Sequence, residues 1–76
     1  MSLVGAETLQ KIEISGNKRI SDQTIIIFSE LEINEEITKS KLDKVIKKLY
    51  QSNFFKNINL SFENQTLFLK VEENPI

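Results

Sequence analysis

Residues that could do chemistry are scarce in this chain. Its 76 residues include no histidine and no cysteine, which removes imidazole bases, thiolate nucleophiles and the commonest soft metal ligands. Carboxylates and ammonium groups remain. Glu30, Glu32, Glu35 and Glu36 crowd one short stretch, but without the ligand spacing and central glycine of a calcium loop they read as a solvated acidic turn. Lys39, Lys41, Lys44, Lys47 and Lys48 concentrate positive charge that would suit phosphate or an acidic partner, although such runs on a helix usually just face water. Asn64-Gln65-Thr66 fits the glycosylation triplet, a pattern frequent by chance. No catalytic residue, metal ligand or cofactor site is assigned, and the expected function is binding.

The bulk properties agree with that reading. Seventy-six residues make one domain, near the lower size limit for a core without disulfides or metal. Ten Lys and Arg against eleven Asp and Glu give no broad attraction to nucleic acid or an anionic membrane. The absence of cysteine excludes a disulfide framework and fits either redox compartment. No run reaches the length of a membrane-spanning helix, and Met1 to Ala6 lacks the charged head and apolar stretch of a signal peptide. Residues 1–8 are read as a cloning remnant or a flexible N-terminal segment.

The elements that must position any binding site follow from periodicity. Leu9 to Ser15 alternates, with Ile12 and Ile14 on one face, and reads as a strand. Gly16-Asn17 offers a left-handed exit, with Lys18 and Arg19 facing solvent. Ser21 caps a first helix from Asp22, flanked by the staple pair Ile20 and Ile25. Ile25, Phe28 and Ser29 share its inner face. Asn34 marks a positive-φ turn in the interhelix loop. Thr38 caps a second helix with Ile37 and Leu42 as its staple, and Leu42, Val45, Ile46, Leu49 and Tyr50 form its apolar face opposite the lysines. Asn53 ends that helix in the left-handed conformation. Phe55 to Phe62 is a second strand with Ile58, Leu60 and Phe62 inward; Leu67, Leu69 and Val71 point inward from a third. Gln65 suits a two-residue type I′ turn poorly, so a four-residue loop is expected at Glu63 to Thr66. Phe68 turns to the polar face of the sheet, and Pro75 stops the last strand. The fold class is α+β: β-α-α-β-β, with two helices on one face of a three-stranded mixed sheet.

Three segments in this order, Ile14-Ser15-Gly16-Asn17-Lys18-Arg19-Ile20-Ser21, Leu49-Tyr50 followed by Phe54-Phe55, and Val71-Glu72-Glu73-Asn74-Pro75-Ile76, resemble those of the POTRA (polypeptide-transport-associated) family. The likeness is greatest to the first module of outer-membrane β-barrel assembly factors. Asn34 and Asn53 depart from the family pattern, standing where glycine is common. The resemblance implies a domain over 9–74, a linker starting at 75–76, and strand order 1-3-2. It also implies a non-enzymatic module at the periplasmic face of the bacterial outer membrane, in a longer protein that is membrane-embedded through a barrel. Unfolded outer-membrane proteins, neighbouring POTRA modules and assembly lipoproteins are the implied partners, with no nucleic acid.

With the last strand central, the second strand becomes an edge. Lys56, Asn57, Ile58, Asn59, Leu60, Ser61 and Phe62 are then the expected client-binding site, pairing with extended segments through the backbone. Phe68 and Pro75 are the expected contacts to a neighbouring module. Alternative readings are a POTRA module of a two-partner secretion transporter or of a cell-division protein. From another class comes a small RNA-binding α+β domain using Lys18, Arg19 and the helix lysines; Gly16-Asn17-Lys18-Arg19 is similar to the gripping loop of a KH domain but lacks its second glycine.

Overall fold

The C-terminal hairpin sets the frame on which everything else packs. A computed structural model describes residues 7–75, so Met1 to Ala6 and Ile76 lie outside the described residues. In chain order the elements are β1 (Glu7–Thr8), β2 (Lys11–Ser15), α1 (Asp22–Ser29), β3 (Glu36–Ile37), α2 (Lys39–Gln51), β4 (Phe55–Glu63) and β5 (Thr66–Glu73). β5 runs antiparallel to β4 and parallel to β2, giving the sheet order β2-β5-β4. The last strand is therefore the central one, as expected. Both helices cover one face.

Local sequence chemistry explains the helix starts. Ser21 Oγ accepts the Thr24 amide at 3.2 Å, and Thr38 Oγ1 accepts the Lys41 amide at 3.1 Å, each satisfying a donor that the first turn leaves free. Asn34 and Asn53 take positive φ values of 76° and 65°. Glu30 also does so at the end of α1, with φ 58°, and no glycine or asparagine in the sequence signals it.

Leu9, Ile25, Val45, Leu49 and Leu67 are fully buried, each contributing roughly 1.5–3 kcal/mol by removal from water. They knit both helices to β5. Tyr50 departs from its expected inward position: it sits at the border of α2, 41% exposed, where its hydroxyl reaches the sheet.

Three features of the strands differ from the sequence reading. The β4–β5 hairpin closes in two residues, not four: Asn64 and Gln65 have φ 51° and 62°, with Glu63 directly opposite Thr66, as in a type I′ turn. Gln65 accepts this backbone because its carbonyl receives the Gln10 and Lys11 amides at 2.8 and 3.2 Å while its Nε2 donates to Thr8 Oγ1 at 3.0 Å. A β-bulge at Lys56 puts Phe55 opposite Glu73 but Asn57 opposite Glu72, which lets Phe55 and Ile58 both face the core across an odd spacing. Finally, Glu7 and Thr8, read as part of an N-terminal segment, form β1 and pair with β3. Leu9 turns into the core behind them, its amide donating to Glu35 O and its carbonyl accepting from Asn34 N at 2.8 and 2.7 Å.

Candidate functional site

Among the described residues nothing pairs with the outer side of β4, and the tight turn decides which backbone groups it presents. With Glu63 and Thr66 closing the hairpin, residues 57, 59, 61 and 63 direct their amides and carbonyls to β5. Ile58, Leu60 and Phe62 direct theirs away. The Ile58 amide shows this parity, since it donates outward to Tyr50 Oη at 3.2 Å. Tyr50 and the Lys56 bulge thus close one end of the edge. The open row consists of both backbone groups of Leu60 and Phe62 and the carbonyl of Ile58.

The seven expected edge residues therefore play different parts. Lys56 Nζ pairs with Glu72 at 3.4 Å and Asn57 Nδ2 donates to it at 3.2 Å. Those two contacts, the Asn57 hydrogen bond first, hold the Glu72 carboxyl below its ordinary pKa. Ile58 is buried, while Leu60 and Phe62 are half-buried with their side chains toward the helices. Asn59 and Ser61 stand on the open sheet face. Only the backbone of Leu60 and Phe62 and the carbonyl of Ile58 are offered laterally.

Phe68 lies on that open face, 41% exposed, between Glu13 of β2 and Ser61 of β4. A shallow depression of about 360 Å³ runs beside it, bordered by Asn59 and Lys70. Pro75 is not part of it. Six residues lie between the two, roughly 20 Å along the chain, so the structure does not gather the two expected module contacts into one patch.

A second region lies where β2 hands over to α1. Gly16 has φ 88°, and a Cβ there would collide with the Val71 carbonyl oxygen, so only glycine fits. The following loop wraps Glu73. The amides of Lys18 and Ile20 donate to its carboxylate at 2.6 and 3.1 Å, and that of Arg19 to both oxygens at 3.1 and 3.0 Å. Arg19 adds an ion pair at 3.6 Å and a bond from Nη2 to Asn74 O at 3.0 Å. Asn74 in turn donates to Phe54 O and Asn53 O at 2.8 and 2.9 Å. The Glu73 side chain is 7% exposed, and its carboxyl is held below the usual range, by the Lys18 amide first, against the opposing effect of burial.

This corner corrects two expectations. Arg19 does not simply face solvent, because Glu73 and Asn74 engage it. Asn17 is not left-handed; its Nδ2 bridges Ile20 O and Asp22 Oδ1 at 2.7 and 2.8 Å. The RNA reading also loses its loop, whose amides are already used. Among the lysines of α2, Lys41 and Lys48 pair with Glu35 and Glu30 at 3.4 and 3.3 Å. Glu73 was the residue sequence reasoning missed. Its signal was parity: after Leu67, Leu69 and Val71 the next inward slot of the strand holds an acid, which a protein buries only with partners.

The POTRA family, described as "Surface antigen variable number repeat", matches residues 7–74. The chain belongs to the POTRA family. This POTRA domain is 34% identical over 71 residues to the "Outer membrane protein assembly factor BamA" of Neorickettsia risticii (strain Illinois), covering 93% of this chain and 10% of that protein. It thus spans about a tenth of that relative. Two solved structures share its fold. "POTRA1-2 of the periplasmic domain of Omp85 from Anabaena" matches 91% of this chain and 48% of its own, with TM-score 0.75 at 16% identity. "POTRA1-3 of the periplasmic domain of Omp85 from Anabaena" matches 95% and 35%, with TM-score 0.72 at 13% identity.

Proposed function

We propose that this POTRA domain is a non-catalytic periplasmic module of an outer-membrane protein assembly factor, working beside further POTRA modules and assembly lipoproteins to hold unfolded β-barrel proteins as they are delivered. The relationship to the Neorickettsia assembly factor supports the setting. The observation that carries the mechanism is the open row at Ile58, Leu60 and Phe62. An extended client adds a strand there through its backbone, without demanding particular side chains, which suits many unrelated sequences.

The row is short, so the affinity is low. A few hydrogen bonds at roughly 0.5–1.5 kcal/mol each must offset the ordering of the peptide, giving a dissociation constant of about 1 mM for one module. Several modules in tandem raise the effective affinity through local concentration.

The test is an NMR titration of the isotope-labelled chain with a ten-residue strand peptide from an outer-membrane β-barrel protein. The expected result is amide shifts centred on Ile58 to Phe62 that vanish when the peptide is N-methylated at alternate residues along the edge that pairs. Unchanged shifts with peptides methylated in either register would sink strand addition.

A further inference from the structure

At the end of the Glu73 clamp the surface opens into a groove of about 300 Å³, walled by Ile20, Phe54 and Pro75 and rimmed by Arg19 and Asn53. Phe54 is 46% exposed, yet its ring is fixed: it stacks on Phe28 with centroids 5.6 Å apart and planes 13° apart. A rigid aromatic held half out of water presents apolar area at little ordering cost. The polar groups around it are engaged, with Arg19 on Glu73 and Asn74, and Asn53 O on Asn74. This corner therefore offers shape and apolar surface.

We propose that this groove seats a following POTRA module, and that the clamp on Glu73 and Asn74 fixes the direction in which that module leaves. The occupant is indicated by continuity, because Pro75 belongs both to the groove wall and to the strand exit. In a tandem array the next residues start from the rim. The two solved structures that share the fold hold two and three modules, of which this chain matches 48% and 35%. Eight hydrogen bonds and ion contacts pin residues 73–74 to the loop at 18–20 and to residues 53–54, so the last two residues before Pro75 are anchored on both sides and behave as an extension of β5. Phe68, roughly 20 Å back along the strand, is not part of this seat. The inference rests on the proposed reading only in requiring a module downstream.

The experiment uses the natural protein containing this chain and its following module. A spin label at Lys44→Cys, an exposed site on α2, is paired with one in the next module, and the distance distribution is measured by pulsed dipolar spectroscopy. A single narrow distribution is expected. Phe54→Ser and Glu73→Gln should each widen it at least twofold, while Phe68→Ser leaves it unchanged. Phe54→Ser carries the test if Glu73→Gln unfolds the domain, since that ring is half exposed and circular dichroism will show the fold intact. A distribution equally wide without substitution, a widening produced by Phe68→Ser alone, or relaxation from a labelled second copy appearing at Phe54 would overturn the proposal. Client peptide shifts on β4 are read separately, so a rigid junction with no peptide binding would count against strand addition alone.

Discussion

The outer edge of β4 and the corner around Glu73 are built on opposite plans. Along β4 the side chains of Leu60 and Phe62 are committed to the core while their backbone is left open. At the corner the backbone is committed, with three consecutive amides on one carboxylate, and an aromatic side chain is left open. Unsatisfied backbone at a solvated edge recognises any extended chain, whereas closed polar groups around an apolar ring recognise a shape. In the proposed account the edge would serve extended client segments and the corner a following module, two kinds of contact on separate parts of one small domain.

The sharpest way to break the corner is Gly16→Ala. With φ at 88° and the Val71 carbonyl in the path of a Cβ, the substitution should cost ~3 kcal/mol, read as a fall in denaturant midpoint. A cost near zero would mean that the loop moves freely and does not frame Glu73.

Next comes Glu73→Gln, whose effect should depend on pH. Because the folded carboxyl titrates below its ordinary value of 4.5, it contributes stability above about that pH and loses it as pH falls through the lower folded value. The gap in thermal midpoint between the two proteins should therefore be full at neutral pH and close progressively below pH ~4.5. A gap independent of pH would show that the charge of Glu73 plays no part.

Tyr50→Phe probes the boundary of the open row. Loss of the hydroxyl that accepts the Ile58 amide should cost about 1 kcal/mol or less and speed exchange of that amide by roughly five- to tenfold. Leu60 and Phe62 amides should be unaffected. The smallest effect belongs to Phe68→Ala, which should change stability by no more than ~0.5 kcal/mol and leave peptide shifts on β4 as they were; a larger change in those shifts would move the binding surface to the open face.

Much of the frame was legible because it rests on local rules. Ser21 and Thr38 announce helix starts through their hydroxyls, Asn34 and Asn53 announce left-handed turns, and alternation in Leu67, Leu69 and Val71 shows which face is buried. The proposed edge was legible only as a segment. Which amides it offers depends on the Asn64-Gln65 turn and the Lys56 bulge. Gln65 was misjudged because its favourable contacts, to Gln10, Lys11 and Thr8, come from the far end of the chain. The bulge did leave a trace in the odd spacing of Phe55 and Ile58. The Glu73 clamp spans more than fifty residues of sequence, beyond any periodic rule, and only the acid in an inward slot hinted at it.

Site-resolved amide hydrogen exchange with and without a β-barrel strand peptide tests the open edge most directly. In the free chain Leu60 and Phe62 should exchange rapidly while Asn59 and Ser61, bonded to β5, are protected; saturating peptide should slow Leu60 and Phe62 and leave Ile58 nearly unchanged. Protection of Leu60 and Phe62 in the free chain, or no slowing when peptide is bound, would contradict the account.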